Sequence, residues 1–205
     1  NDEKCIIKIF KSGNFTYSSY ILETLTYKNI KYSFMPKFKN NFTIELDNIK
    51  YSLLIISYLE NYKNLKYIHN VKDINYIFFN LLNIIEELHK TTIHKDIKND
   101  NIMYNTDTKD LKLIDFGMSF NQNITPNKYI LNASMAIDWQ CPDYILNSMN
   151  QEDEFDNLIV NKYFELGKIN DLFSIISVIK NLVNPNTNLF ERKGILPKYI
   201  YIKKY

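Results

Sequence analysis

The sequence contains little glycine, cysteine or arginine, and it has no long apolar run. Only 4 of the 205 residues are glycine and 5 are proline, which excludes collagen-like and low-complexity classes. The two cysteines, Cys5 and Cys141, lie far apart, so neither a disulfide framework nor a zinc site is expected. No stretch of about 18 uninterrupted apolar residues occurs, and we expect no membrane-spanning helix.

The charge is nearly balanced, with 25 basic and 23 acidic residues and a formal net charge of +2. This balance predicts neither nucleic acid nor an anionic membrane as a partner. Hydrophobic residues make up 45% of the chain, enough for a substantial core in a chain of this length. The opening Asn-Asp-Glu-Lys lacks the apolar segment of a signal peptide, so we expect an intracellular, cytoplasmic protein.

The first 60 residues have the pattern of a β-rich unit with one helix. Apolar residues with β-branched side chains predict strands at residues 5–10, 30–34, 42–46 and 51–59, with turns rich in Asn and Lys between them. A short helix is predicted over residues 16–27.

The remainder of the chain favours helices. Residues 73–89 carry apolar side chains at three- and four-residue spacing, which predicts a helix in a core. A polar loop with short apolar islands is expected over residues 90–120, a long loop over 121–140, and a second apolar helix over 171–183. A β-rich part followed by a helical part, with the boundary near residue 60, predicts an α+β protein with two lobes.

Two motifs carry the chemistry. Residues 93–103 contain the pattern H-x-D-x-K-x-x-N, and the tripeptide Asp115-Phe116-Gly117 follows it later in the chain. Their order and separation resemble the catalytic loop and the metal-binding loop of the protein kinase superfamily. The four residues of the first pattern are His94, Asp96, Lys98 and Asn101.

The resemblance implies a role for each polar residue of these motifs. Asp96 is the catalytic residue that accepts the proton of the attacking hydroxyl, and Lys98 neutralises charge on the transferred phosphoryl group. Asn101 and Asp115 supply the oxygen ligands that Mg²⁺ prefers. Gly117 is expected to let the backbone turn after the metal ligand. His94 and Phe116 are expected to pack the two loops together.

The resemblance also implies an ATP site in the β-rich part. Lys8 resembles the strand lysine that holds the α- and β-phosphates of ATP, although an ordinary exposed strand lysine is the alternative. Glu23 is the only acidic residue between Lys8 and Asn29, so it is the candidate partner of Lys8. An alternative register places Ser18 at that position.

Residues 54–61 resemble the strand and hinge that link the two lobes. In that alignment Ile56 lies beside the adenine pocket, and backbone groups from Ser57 to Leu59 bind the adenine edge. Cys141-Pro-Asp143 resembles the end of the activation segment. Asp171 resembles a buried aspartate that opens the central helix of the large lobe and braces the catalytic loop, and a simple N-cap is the alternative.

Four features depart from the family pattern. No Gly-x-Gly-x-x-Gly loop lies in the seven residues before Lys8. Lys95 stands where an arginine normally grips an activation-loop phosphate, and a lysine can pair only as a point charge. The segment from Asp143 to Asp171 is longer than usual by roughly sixteen residues, and we expect the family's last helices to be missing or replaced. Candidate phosphorylation sites are Ser119, Thr125 and Ser134.

We therefore expect one protein kinase-like domain over residues 1–205. Residues 1–60 would form a reduced, β-rich N-lobe with the hinge, and residues 61–205 a mainly helical, truncated C-lobe. The implied activity is transfer of the γ-phosphate of ATP, with Mg²⁺, to a serine or threonine of a protein substrate, which Lys98 favours over a small molecule. Small lysine-rich kinases of this kind occur in large DNA viruses, some parasites and bacterial effectors, which would place the protein in a host cytoplasm.

Two other functions stay open at this point. The chain could be a catalytically weak, kinase-shaped decoy or regulatory module that binds a protein partner, since no glycine loop is found in the seven residues before Lys8 and the last helices are expected to be missing or replaced. A small-molecule phosphotransferase is a weaker alternative.

Overall fold

The structure is a computed structural model, and it describes residues 3–11, 15–68, 73–124 and 157–184. Helices in these ranges are α1 (Phe15–Asn29), α2 (Ile74–Leu88) and α3 (Asn157–Val183). Single 3₁₀ turns lie at Leu65–Tyr67 and Asn99–Asn101. The strands are β1 (Cys5–Lys11), β2 (Phe38–Leu46), β3 (Ile49–Ser57), β4 (Lys63–Asn64), β5 (Thr92–Ile93), β6 (Ile102–Tyr104), β7 (Leu111–Leu113) and β8 (Phe120–Asn121).

Strands β1, β3 and β2 form an antiparallel sheet in that order. A two-residue turn, Asp47-Asn48, connects β2 to β3, and both residues have positive φ angles of 51° and 61°. Such a turn matches the twist of a hairpin, and Asn and Asp tolerate the left-handed region better than most residues. Lys8 lies in the middle of β1, where it pairs with Leu54 of the central strand β3, on the side that faces α1.

The strand expected over residues 30–34 is not formed, and that prediction is wrong. The segment is irregular, yet Phe34 and the following Met35 are buried. The Phe34 carbonyl accepts a hydrogen bond from the amide of Leu113, at 2.8 Å. The apolar pattern here therefore reflects packing against β7 and not membership of the sheet.

Helix α2 agrees with its prediction and buries Ile77, Leu81, Ile85 and Leu88. Helix α3 is longer than predicted, because it begins at Asn157 and not near Asp171. No proline interrupts the segment between these two residues, so the helix continues through it. Asp171 consequently lies inside the helix, which corrects both its placement at the helix start and the N-cap alternative.

The segment expected as a loop over residues 90–120 contains four short strands that hold the two motifs together. Strand β6 directly follows Asn101, and strand β7 ends just before Asp115; the two pair antiparallel. The amide of Ile114 also donates to the carbonyl of Asn101, at 3.0 Å. Both loops therefore emerge side by side from one ladder.

One apolar core connects the β1–β3–β2 sheet with helices α1, α2 and α3. Tyr27 of α1, Leu54 of β3, Leu81 of α2 and Ile175 of α3 all belong to it. The three long strands, β1 to β3, lie in the first part of the chain, and helices α2 and α3 lie in the second part. This arrangement agrees with the α+β expectation.

Candidate active site

Lys8, Glu23 and Asp115 meet beneath the inner face of the sheet. The Lys8 ammonium lies 2.5 Å from Glu23 Oε1 and 3.4 Å from Asp115 Oδ1. Glu23 comes from α1 and is 1% exposed, so the register that pairs Glu23 with Lys8 is the one formed, and Ser18 is not the partner. A strand, a helix and a loop thus place one cation between two carboxylates.

Burial and charge act together on this triad. Burial, together with the negative charge of Asp115, raises the pKa of Glu23 to about 7, although Lys8 opposes the shift. Burial on its own would lower the pKa of Lys8, but the charges of Glu23 and Asp115 outweigh it and raise that pKa. Lys8 therefore keeps its positive charge in the cleft at neutral pH.

The catalytic-loop motif folds around the carboxylate of Asp96. Lys98 Nζ donates to Asp96 Oδ2 at 2.7 Å, and Asn101 Nδ2 donates to the same oxygen at 2.9 Å. The Asn101 amide also donates to the Asp96 carbonyl at 2.9 Å. Asn101 reaches Asp96, five residues earlier, because the 3₁₀ turn at Asn99–Asn101 folds the loop back on itself.

The residues expected to bind Mg²⁺ have suitable donor atoms. The amide nitrogen of Asn101 is used on Asp96, and its Oδ1 has no hydrogen-bond partner within the described ranges. The Asp115 side chain is 46% exposed. Oxygen ligands of this kind suit a hard cation. No cluster of three or more His, Cys, Asp or Glu side chains with metal-ligand geometry occurs in the described part of the chain.

The residue after Asp115 fixes the metal-binding loop in the core. Phe116 is fully buried, and its ring contacts Tyr27 edge-on at 5.4 Å and the His94 ring at 4.7 Å. His94 Nε2 donates to the carbonyl of Ile114 at 3.1 Å. These contacts match the packing roles expected of His94 and Phe116.

The backbone turn at this loop is made by a different residue from the one expected. Asp115 has a φ of 65°, whereas Gly117 does not adopt a left-handed φ. Gly117 is needed for close approach, because a Cβ there would lie 3.1 Å from Cβ of Ser19 in α1. The expected role of Gly117 as the turn residue is therefore wrong.

The hinge residues follow the end of β3. Ile56 is buried. The amide of Ser57 donates to the Lys37 carbonyl at 2.9 Å, and the amide of Tyr58 donates to the Lys4 carbonyl at 3.3 Å. Leu59 is the hinge residue whose amide finds no acceptor within the part of the chain that the structure describes. Of the amides from Ser57 to Leu59, that of Leu59 is thus the one left to meet a ligand.

Residues 4–182 match the family model of the protein kinase domain. The chain belongs to the protein kinase family. The match spans every residue placed in the cleft above.

Viral proteins are among the relatives of this kinase domain. It is 33% identical over 104 residues to serine/threonine-protein kinase 1 of African swine fever virus (isolate Tick/Malawi/Lil 20-1/1983), covering 48% of this chain and 34% of that protein. The protein of the same name from isolate Warthog/Namibia/Wart80/1980 is 32% identical over 104 residues, with the same coverage. The chain thus spans about a third of the length of these curated relatives.

A solved structure shares the fold of this kinase domain. The Cydia pomonella granulovirus kinase, PK-1, superimposes with a TM-score of 0.56 and 18% sequence identity, covering 91% of this chain and 61% of that chain. The expected α+β, bilobal kinase-like fold is confirmed, as is the resemblance to the kinase superfamily. The division at residue 60 and the extent of a single domain over 1–205 stay predictions.

Asp171 braces the catalytic loop of this kinase domain from α3. Its Oδ2 accepts from the His94 amide and its Oδ1 from the Lys95 amide, both at 2.8 Å. The expected bracing contact is thus present, although it comes from the middle of a helix. The activation-segment motif Cys141-Pro-Asp143 lies outside the described residues.

Lys95 is a buried residue of the catalytic loop. It is 1% exposed and has a φ of 69°. Burial lowers its pKa to about 7, while Asp171 opposes that shift. In this arrangement Lys95 is buried in the protein and does not face solvent as a surface charge.

Ser119 is also unavailable for phosphorylation in this structure. It is buried, and its hydroxyl is 2.8 Å from that of Thr26 and donates to the Phe116 carbonyl at 2.8 Å. That corrects its assignment as an accessible site. Thr125 and Ser134 lie outside the described residues.

Sequence reasoning missed two polar contacts that hold the site. His89 Nε2 lies 3.0 Å from Asp171 Oδ2, and Asn99 Nδ2 donates to Asn181 of α3 at 2.7 Å. The pairs are separated by 82 positions in both cases. Neither pair has a local sequence signal, since each depends on how α3 packs.

Proposed function

We propose that the chain is an ATP- and Mg²⁺-dependent protein serine/threonine kinase domain. The observation that carries the proposal is the presence of two groups of charged residues, each with a member on one of the loops that emerge side by side from β6 and β7. They are the Lys8–Glu23–Asp115 triad, and Asp96 with its partners Lys98 and Asn101. Phosphoryl transfer depends mainly on positioning and charge stabilisation, and these groups supply both.

In this proposal Asp96 accepts the proton of a substrate hydroxyl as that oxygen attacks the γ-phosphorus of ATP. The bond from the γ-phosphorus to the bridging oxygen breaks, and ADP leaves. Lys98 sits 2.7 Å from Asp96, where its charge both holds the carboxylate and faces the transferred group. Mg²⁺, when bound through Asn101 and Asp115, would neutralise phosphate charge.

The nucleotide would lie between the sheet and the loops. Lys8, fixed by Glu23, contacts the α- and β-phosphates. Ile56 and the amide of Leu59 line the adenine end, with Ser57 supplying neighbouring hinge backbone.

A protein substrate is the class this proposal favours. The viral relatives carry serine/threonine-protein kinase in their names, and Lys98 stands in the loop position that favours this substrate class. The structure has no helix that could span a membrane among the residues it describes. Intracellular action and the absence of nucleic-acid or membrane partners stay predictions.

The test is an Asp96→Asn variant in a transfer assay with labelled ATP. We expect transfer to fall by about 10²–10⁴-fold, because the proton acceptor is lost, with ATP binding nearly unchanged. Asp100→Asn is the matched control, since Asp100 lies in the same loop and pairs with Lys66 at the surface. An Asp96→Asn protein that transfers phosphate as fast as the parent would contradict the proposal.

One observation favours the binding-module alternative. Helix α3 exposes Ile169, Leu172, Ile176 and Val183 on the side opposite its buried residues, and apolar surface of this kind often marks a protein contact. That function predicts a stable complex with a partner and no turnover. Autophosphorylation that requires Asp115 would exclude it.

A further inference from the structure

A pair of buried hydroxyl groups joins α1 to the segment that follows the metal-binding motif. Thr26 lies in α1, Ser119 follows Gly117 closely in the chain, and both residues are 1% exposed. Their side-chain oxygens are 2.8 Å apart, although the residues are separated by 93 positions. The contact therefore depends on how α1 docks against this segment.

The neighbouring carbonyl decides which hydroxyl of the pair is the donor. Ser119 Oγ lies 2.8 Å from the Phe116 carbonyl, which can only accept, so the one proton of the Ser119 hydroxyl is used there. The Ser119 oxygen then accepts from Thr26, whose hydroxyl is the donor of the pair. The Ser119 amide donates to the same carbonyl at 3.1 Å. Thr26 thus ties α1 to the turn that residues 116–119 form.

The face of α1 that carries Thr26 also carries Glu23. The two residues are three positions apart, a spacing that places side chains next to each other on a helix. Ser19, one turn before Glu23, contacts the metal-binding loop at Gly117, where a Cβ would lie 3.1 Å from that of Ser19. One face of α1, with small or polar residues at these three positions, therefore rests on the metal-binding loop.

The docking of this face determines how the Lys8–Glu23–Asp115 triad is assembled. Glu23 reaches Lys8 at 2.5 Å, and Lys8 lies 3.4 Å from Asp115. The ring contact of Tyr27 with Phe116 holds α1 against the loop, but apolar attraction has little directional preference. A hydrogen bond is directional, and breaking one between buried groups leaves an oxygen without a partner. The hydroxyl pair can thus fix the rotation of α1.

We propose that Thr26 and Ser119 are positioning residues that hold α1 and the metal-binding loop in the arrangement that takes a nucleotide with its metal ion. The inference rests on the proposed kinase function. Neither hydroxyl belongs to the triad, so each acts through Glu23 and Asp115. A bound nucleotide with Mg²⁺ would itself draw these two residues together. Loss of the pair should therefore weaken nucleotide binding more than it slows the chemical step.

The experiment compares Thr26→Val with Thr26→Ser in the transfer assay. Valine keeps the shape of threonine without its hydroxyl, whereas serine keeps the hydroxyl. We expect Thr26→Val to raise KM for ATP with Mg²⁺ by about threefold to tenfold, the effect of one buried hydrogen bond, with kcat at saturation nearly unchanged. Thr26→Ser should keep KM close to that of the parent. A fall in kcat at unchanged KM in Thr26→Val would overturn the inference.

Thr24→Val is the matched control. Thr24 lies in the same helix, and its Oγ1 is buried without a hydrogen-bond partner in the described part of the chain. Removal of this hydroxyl should leave KM and kcat as in the parent, and a rise in KM equal to that of Thr26→Val would count against the proposal.

Ser119→Ala tests the other side of the contact. It should also raise KM, and Thr26→Val should add little in the Ser119→Ala background, because both changes break one shared hydrogen bond. Fully additive effects would show that the two residues act independently and would overturn the proposal.

A further readout requires no phosphate transfer. Hydrogen exchange of the Ser119 amide, followed by NMR without nucleotide, should become about threefold to tenfold faster in Thr26→Val and stay unchanged in Thr24→Val. If the parent transfers no phosphate, the proposed function fails, and this measurement still decides whether Thr26 holds the turn. Unchanged exchange in Thr26→Val would overturn the inference.

A measurement on the unaltered protein covers the case in which Thr26→Val does not fold. The hydroxyl proton of Thr26, buried and donated to Ser119, should exchange with water much more slowly than that of Thr108, which is exposed. Equal exchange rates for the two hydroxyl protons would overturn the inference.

Discussion

Lys95 shows how a single residue can be recognised in a sequence and still be misjudged. The motif identified its position, and the chemistry of lysine suggested a weak contact to a phosphate. In the structure Lys95 is buried, its backbone has a left-handed φ, and its own amide donates to Asp171. Burial depends on the packing of α3 against the loop, which the local pattern does not contain.

The buried Lys95 predicts an unusual pH dependence of stability. Its pKa is lowered from 10.5 to about 7 in the folded protein, so between these values the unfolded chain binds more protons than the folded one. Stability should therefore rise with pH across this window, by at most about 1.4 kcal/mol per pH unit from this group.

The measurement is denaturant unfolding of the parent and of Lys95→Met at several values between pH 7 and 10. The parent should gain stability relative to Lys95→Met as the pH rises, because methionine has no proton to lose. Lys66→Met, at an exposed position, serves as the control and should run parallel to the parent. Parallel curves for Lys95→Met would show that Lys95 titrates normally.

At the scale of elements, the predictions succeeded where periodicity was long and failed where packing decided. Helix α2 and strands β1 and β3 were recovered because their apolar patterns extend over many residues. The start of α3 and the irregular course of residues 30–34 were not, since both depend on contacts distant in sequence. The short strands near the site escaped prediction because two or three residues carry no period.

The Lys8–Glu23 contact was an open choice between two registers of α1. The sequence supplied the candidate, as Glu23 is the only acidic residue between Lys8 and Asn29. The choice was settled only by the rotation of α1 against the sheet, which buries Glu23 beneath β1. The sequence of α1 alone does not predict this rotation, because the rotation depends on the sheet against which the helix packs.

Gly167 of α3 packs closely against Ile93, at the start of the catalytic loop. A Cβ at this position would lie 2.2 Å from Cδ1 of Ile93, which is buried immediately before His94. Alanine favours a helix by about 1 kcal/mol over glycine, but the overlap should dominate. We expect Gly167→Ala to destabilise the protein by about 1–3 kcal/mol, measured by denaturant unfolding.

The rescue variant separates overlap from other effects. Ile93→Val removes the Cδ1 atom and alone should cost about 0.5–1.5 kcal/mol. Combined with Gly167→Ala, it should cost less than the sum of the two single changes. Strict additivity would mean that the close contact with Ile93 is not the cause.

At the scale of the whole molecule, the two halves of the cleft are built from different parts of the chain. Lys8 and Glu23 come from the first 30 residues, and Asp115 comes from the loop after β7. A nucleotide bound with a metal ion would contact both halves, so its binding should stabilise the fold as a unit. ATP without the metal lacks the link through Asn101 and Asp115.

This reasoning predicts a magnesium-dependent thermal shift. ATP with Mg²⁺ should raise the melting temperature more than ATP alone, because a ligand that binds only the folded state stabilises it by mass action. At a free concentration of about one hundred times Kd the gain is about 2.7 kcal/mol, which corresponds to about 5–11 °C for a domain of this size.

The variant that tests the source of the shift is Asp115→Ala, with Asp107→Ala as its control. Asp107 lies in an exposed turn after β6, so its loss should leave the shift intact. Asp115→Ala should abolish the magnesium-dependent part, because it removes a carboxylate ligand while Lys8 still attracts the phosphates. If a magnesium-dependent shift survives in Asp115→Ala, the metal binds elsewhere. The nucleotide would then not be linked to the loop after β7 through Asp115.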